Sequence, residues 1–299
     1  MAATVVVSAV QCAGAGHGRE AGCRYQVAWS INPHMVVGSV DFEVARAQHQ
    51  ALRQLLARAG AQVIELGFVH DAHDSVFTKD PALLLERRGG RCALLARPHF
   101  AERRQEQAAR ARDYEALGFE VAAGPGPTWE GGDVALLPDA GGLLLGFGQR
   151  TSRAAADWLA DKADLPVTPL ELTDPHLFHL DMALSVLPDG AVIACADAFA
   201  PASLRALAAT GGVRELFLVP RADALAFGLN LLFLGDVVVV GARVPRVEQI
   251  LLARGYRPLH TPLDQFHRAG GGAACLVTEV HRDRRVAAVA DRRAAGLGG

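Results

Sequence analysis

Four short stretches place polar residues inside apolar, strand-like runs. HDSVFTKDPALLL (73–85) carries Asp74 and Asp80, and TWEGGDVALL (128–137) carries Glu130 and Asp133. HLFHLDMALSVLP (176–188) carries His179 and Asp181, and HRAGGGAACLVTEV (267–280) leads small residues into Cys275. A charge in such a run costs several kcal/mol unless it is paired, so these positions mark either function or a buried network. Each also has a plain reading: Asp before Pro starts turns, Glu-Gly-Gly-Asp can be an acidic hairpin turn, and free cysteine is usually just buried. His179 and Asp181 are two apart, so in a strand they face one side. Glycines and alanines before Cys275 would let a substrate approach the sulfur. Cys12, Cys23, Cys92 and Cys195 lack that lead-in and read as structural.

Together the stretches suggest a cysteine and a histidine among several carboxylates. A thiolate with a histidine acid/base attacks acyl or amidine carbons. Surrounding carboxylates would repel an oxyanion but bind a planar cation such as a guanidinium by bidentate hydrogen bonds. A bound cation would also draw the thiol toward thiolate.

The elements that must position these residues alternate between strands and helices. TVVVSAV (4–10), AQVIEL (61–66), FEVAA (119–123) and ELFLVP (215–220) read as strands. ALLLERRG with CALLAR (82–97) and SVLPDGAVIAC (185–195) read as hairpins, as does FLGDVVVVG (233–241) around its Gly-Asp turn. VALLPD and GLLLGFG are two further strands. Helices are expected over 40–59, with Gly60 as stop, over 101–117, from Ser152 as cap to Ala163, from Ser203 as cap to Ala209, and over 247–254. CLVTEV (275–280) is the expected last strand. A hairpin, helix, strand unit recurs about five times, which favours one closed α/β domain over a doubly wound sheet.

Composition removes other classes. The 299 residues are 51% hydrophobic and 21% charged, enough for a sizeable core. Thirty basic against 32 acidic residues argue against a nucleic-acid partner. Of the basic residues only Lys79 and Lys162 are lysine. Five cysteines without a CxxC pair exclude zinc spacing and a disulfide framework, so reduced thiols in the cytoplasm and no metal are expected. The longest apolar region, 225–242, is broken by Asn230 and Asp236, so no membrane span is expected. The opening MAATVVVSAV has no basic residue ahead of its apolar run and does not read as a signal peptide. GFGQRTS (146–152) lacks the spacing of a nucleotide loop, so no cofactor is expected.

In order along the chain, FTKDP (77–81), WEGGD (129–133), FHLD (178–181) and GGGAACLVTE (270–279) resemble the guanidino-group-modifying superfamily, with a weaker match at WSINPHM (29–35). That superfamily includes dimethylarginine dimethylaminohydrolases, arginine deiminases and amidinotransferases. The resemblance implies a five-bladed α/β propeller of pseudo-fivefold ββαβ-type repeats. It implies Cys275 as nucleophile, His179 as general acid/base and Glu130 as the acidic residue that orients the site. It implies Asp80 and Asp181 as the grip on the guanidinium, Asp74 as an acidic position near the substrate, and Arg97 and Arg150 as holders of a substrate carboxylate. The implied reaction is two-step hydrolysis through a thiouronium on sulfur, with no metal or organic cofactor. One domain over 1–280 and a charged tail over 281–299 are expected, and a homodimer is left open. Lys79 stands where dimethylarginine hydrolases often carry an acid, while FTKDP and HLD are closer to arginine deiminases. WSINPHM resembles compact arginine dihydrolases, which usually have Asn where this chain has Asp80. The leading expectation is a dimethylarginine-hydrolase-like enzyme giving a citrulline-type product. An arginine deiminase or dihydrolase, an amidinotransferase and a non-catalytic binding protein on the same fold are the alternatives.

Overall fold

A computed structural model of the chain describes residues 3–14, 21–87, 90–122, 124–138 and 141–282. The first part runs β1 (Thr4–Ser8), α1 (Phe42–Arg58), β2 (Gln62–Leu66), β3 (Ala82–Arg87), β4 (Gly90–Leu95), α2 (Ala101–Arg104), α3 (Gln107–Ala116) and β5 (Glu120–Ala122). Then come β6 (Val134–Leu137), β7 (Gly142–Phe147), α4 (Ala155–Ala163), β8 (Val167–Glu171), α5 (Leu180–Ala183), β9 (Leu184–Val186) and β10 (Ala191–Cys195). They are followed by α6 (Pro201–Ala209), β11 (Glu215–Val219), α7 (Arg221–Leu225), β12 (Leu232–Leu234), β13 (Val237–Val240), α8 (Pro245–Ala253), β14 (Arg257–His260), α9 (Asp264–His267) and β15 (Thr278–Arg282).

One motif recurs in this mixed α/β fold. Two strands pair antiparallel, a helix follows, and a third strand returns parallel to the second. The trios are β3-β4-β5, β6-β7-β8, β9-β10-β11 and β12-β13-β14. The fifth is made by both ends of the described chain: β15 pairs antiparallel with β1, and β1 parallel with β2. β15 also pairs parallel with β3, which joins two trios into one six-stranded sheet. The first strands of the trios contribute residues to the walls of a central cavity of about 460 Å3.

Local chemistry explains the elements. In α1, Asp41 Oδ1 accepts from the free Glu43 and Val44 amides, and Ala45, Leu52, Leu55 and Leu56 bury one face. Removing Leu52 and Leu56 from water contributes roughly 1.5–3 kcal/mol each. Gly60 takes φ +87° past the helix end, where a side chain would be strained.

Several expectations needed correction. The 101–117 helix is split between α2 and α3, and two of its arginines, Arg103 and Arg110, are buried. Arg110 is fully buried and donates to Ser8 Oγ and to the Gly67 and Ser75 carbonyls. Ser152 does not cap α4; its hydroxyl donates to the Thr128 carbonyl, and the helix starts at Ala155. Ser203 lies inside α6, behind Pro201 in the first turn, and its hydroxyl accepts from the Glu171 amide. β8 and β14 went unforeseen because Pro169 and Pro258 interrupt them. Both are edge strands, which tolerate a missing donor. β15 starts three residues after Cys275 and runs through Arg282, past the expected boundary at 280. The tail over 283–299 lies outside the described residues.

Candidate active site

The polar residues of the four stretches lie on equivalent connections, those leading from the third strand of one trio into the first strand of the next, whereas Arg97 follows β4 and Arg150 follows β7, inside their trios. The β2–β3 connection carries Asp74, Lys79 and Asp80; β5–β6 carries Glu130; β8–β9 carries His179 and Asp181; β14–β15 carries Cys275. The remaining connection, β11–β12, carries Asn230. The repeat therefore delivers one polar group or more from every trio to one end of the central cavity.

Two glycines make the crowding possible. A Cβ on Gly131 would lie 1.9 Å from the Lys79 carbonyl oxygen, and one on Gly132 would lie 2.5 Å from His179 Nδ1. With hydrogen there instead, the Gly131 amide donates to the Asp80 carbonyl and the Gly132 amide to Asp80 Oδ1. The glycines before Cys275 serve the protein's own packing. Gly271 lies against the Phe77 ring and Gly272 against Asn230. Gly270 and Gly271 also line the small pocket that Cys275 lines, described below.

His179 and Asp181 do not share a strand. His179 is the extended residue before the four-residue α5, and Asp181 lies in its first turn. The first amide of α5, that of Leu180, has no acceptor within the helix and donates to Asp133 Oδ1 at 3.0 Å. Burial pushes the Asp133 carboxyl up to about 7.

Both ring nitrogens of His179 face carboxylates: Nε2 is 2.8 Å from Glu130 Oε2 and Nδ1 is 3.7 Å from Asp80 Oδ1. Burial works against the charged ring, but Asp80 and Glu130 outweigh it and raise the pKa to about 9. Burial also raises Glu130, yet the Arg150 guanidinium and the His179 hydrogen bond hold it well below the usual carboxylate range. Arg150 Nη1 donates to Glu130 Oε2 at 3.0 Å, and its guanidinium lies between the Phe100 and Phe178 rings. Arg103 Nη1 donates to Asp80 Oδ2 at 2.7 Å while its Nε holds Glu106.

Cys275 is buried. Asn230 Nδ2 lies 3.1 Å from its sulfur and Asn230 Oδ1 accepts from the Ala274 amide, so one side chain fixes both the turn and the thiol. Asp181 Oδ2 lies 3.5 Å from the sulfur and 3.2 Å from Lys79 Nζ. Burial first, then Asp181 and Asp80, push the Cys275 thiol well above its ordinary pKa.

Asp80, His179, Cys275, Asp74, Arg103 and Arg150 line one small pocket of about 20 Å3, roofed by Ile31, Asn32 and Met35. That is room for about one water. A guanidinium needs more room than that; across the roof Arg150 Nη2 donates to the Ile31 carbonyl and Asn32 Nδ2 to the Ala269 carbonyl. Asp74 Oδ2 accepts from Trp29 Nε1 at 2.7 Å, while Asp74 Oδ1 and Asp181 Oδ1 are buried without a hydrogen-bond partner among the described residues. Arg97 stands apart: it is exposed, donates to the Gly126 carbonyl and does not line the pocket. Asp80, Glu130 and His179 could bring three ligand atoms within 4.8 Å of one another. Arg103 and Arg150 already neutralise the two carboxylates, so the group reads as an acid–base cluster and not as metal ligands.

Sequence reasoning missed Arg103 and Asn230 as site residues. Asn230 had left a signal, as the polar break in an otherwise apolar run. Arg103 had left none among so many arginines.

No family model matches the chain. The chain is 32% identical over 258 residues to N(G),N(G)-dimethylarginine dimethylaminohydrolase of Mycobacterium tuberculosis, covering 86% of this chain and 83% of that one. It is 30% identical over 267 residues to the bifunctional arginine dihydrolase/ornithine cyclodeaminase AgrE of Nostoc, covering 87% of this chain but 37% of that longer one. Among solved structures, a variant N-terminal domain of ArgZ covalently bound to a reaction intermediate superposes with a TM-score of 0.84 at 25% identity, covering 94% of this chain and 99% of that one. From the extent and identity of the first match, the chain belongs to the dimethylarginine dimethylaminohydrolase family.

Proposed function

We propose that the chain is a cysteine-dependent hydrolase of the guanidino group of arginine or a methylated arginine. The observation that carries this reading is the buried Cys275 thiol, 3.5 Å from Asp181 in a setting whose carboxylates raise its pKa. A guanidinium arriving there supplies the positive charge that the thiolate needs. Asp80 and the unpartnered oxygen of Asp181 hold its nitrogens, and Asp74 supplies a further acceptor.

The Cys275 thiolate then attacks the guanidinium carbon. The bond to one nitrogen breaks as His179, charged below pH 9, gives that nitrogen its proton. An amine leaves and a thiouronium remains on sulfur. Water next attacks the same carbon; His179 takes one of its protons and the second passes to solvent as the C–S bond breaks, so Cys275 departs as thiolate from a neutral ureido product. Glu130, itself held by Arg150, keeps the ring charged and oriented. Arg150 lines the pocket and holds Glu130, and from there it can also take the substrate carboxylate.

We read the five trios as blades of a five-bladed α/β propeller, with residues 3–282 as its single domain. The five cysteines are free, which fits a reducing compartment, the cytoplasm. No helix among the described residues is long and apolar enough to cross a membrane.

The test is a panel of arginine, its mono- and dimethylated forms, agmatine and guanidinoacetate, with ureido product and released amine both measured. Ureido product from arginine or a methylarginine is expected. No product from any of them, or a new guanidine when an acceptor amine is added, would overturn the hydrolase reading.

A further inference from the structure

Lys79 takes no part in the reaction described above. Its ammonium touches Asp181 Oδ2 at 3.2 Å, and the same oxygen is 3.5 Å from Cys275 Sγ. Asp80 and Glu130 have arginine partners, whereas the cation paired with Asp181 among the described residues is Lys79. Lys79 does not line the substrate pocket. It lines the 460 Å3 cavity on the far side of the site, together with Asp181, Ala274, Glu279 and His281. The titratable groups facing Lys79 are Asp181 from α5, Cys275 and, from β15, Glu279 and His281. Those acting on Cys275 are Asp181, Asp80 and Lys79.

The chemistry demands a negative sulfur beside an ionised carboxylate. Two such charges 3.5 Å apart do not form together without a cation. During the first step the substrate supplies one. When the thiolate is regenerated, the ureido product is neutral and supplies none.

We propose that Lys79 is a positioning residue that keeps Asp181 ionised and directed at the site from behind, so that the Cys275 thiolate forms beside it. This rests on Cys275 being the nucleophile of the proposed hydrolase. Lys79 acts through Asp181 and through space, from the cavity side, without touching substrate.

The test is the rate of Cys275 alkylation by iodoacetamide without substrate, followed by peptide mass spectrometry at fixed pH values from 6 to 10, where the rate rises with the thiolate fraction and a displaced limb shows as a changed rate at every pH. In K79M the reactive limb is expected to move up by at least one unit, making alkylation about tenfold slower below the limb. In D181N, which keeps the cation and loses the carboxylate, the limb is expected to move down. In K79M/D181N both charges are gone, and the rate is expected within about threefold of wild type, since one unit is tenfold. A K79M limb that coincides with wild type overturns the proposal, as does a double variant displaced upward like K79M. Should K79M not fold, D181N against K79M/D181N decides. A D181N limb lower by at least a unit supports the role, and coincident limbs overturn it. Alkylation needs no turnover, so a failure of the hydrolase reading shows in the substrate panel and not here.

Discussion

Replacing Glu130 with Gln should move the basic limb of the pH–rate profile downward. The substitution keeps the shape but removes the carboxylate 2.8 Å from His179 Nε2. An opposite charge that close is worth roughly one to three pKa units. His179 keeps Asp80 at 3.7 Å, so a fall of about one to two units from its raised value of about 9 is expected. At pH 9 half of the wild-type rings carry the proton that the leaving amine needs. In the variant roughly one in ten to one in a hundred would, a loss of about fivefold to fiftyfold beyond that seen at pH 6.5. Stability follows the same linkage. A raised histidine pKa stabilises the fold fully below pH 6.5, and that contribution is lost as pH rises through about 9. The stability gap between wild type and variant should therefore narrow by about 1–3 kcal/mol over that window. The assay is ureido product formation from pH 6 to 10, with urea unfolding at the two ends. A basic limb in Glu130→Gln that overlies wild type would refute the assignment of the proton to His179.

Three further outcomes follow from the geometry. Asn230→Leu removes the donor to the Cys275 sulfur and strands the buried Ala274 amide. It should slow Cys275 alkylation at least tenfold and cost about 1–3 kcal/mol in urea unfolding. Arg103→Met leaves Asp80 and Glu106 buried without their cation, so a loss of about 3–5 kcal/mol is expected, with ureido product formation falling alongside. Gly131→Ala puts a methyl 1.9 Å from the Lys79 carbonyl oxygen, and a stability loss of at least about 1–3 kcal/mol is expected by thermal unfolding.

What could be read from the sequence was local. Pro188-Asp189-Gly190 forms its turn because the residues themselves demand it, with Gly190 at φ +88°. The Asp41 cap and Gly60 stop of α1 belong to the same class. Features decided by tertiary contact were not legible. Pro169 and Pro258 argue against strands unless one knows that their strands lie at sheet edges. Four-residue α5 is too short to show a helical period, so His179 and Asp181 looked like neighbours on a strand. Arg103 and Arg110 are typed as surface residues and become buried cations only because Asp80, Glu106 and the loop carbonyls surround them. Asn230 was visible as a break in an apolar run. Its meaning came from its place on the one connection that had not yet supplied a site residue.

The central claim is that Cys275 carries the reacting carbon. Its direct test is acid quenching during turnover of arginine or a methylarginine, followed by peptide mass spectrometry of the wild type and of a folded Cys275→Ser variant. An amidino-type adduct on the Cys275 peptide is expected, with neither adduct nor ureido product in the variant. An adduct on Cys12, Cys23, Cys92 or Cys195, or sustained turnover by Cys275→Ser, would contradict it.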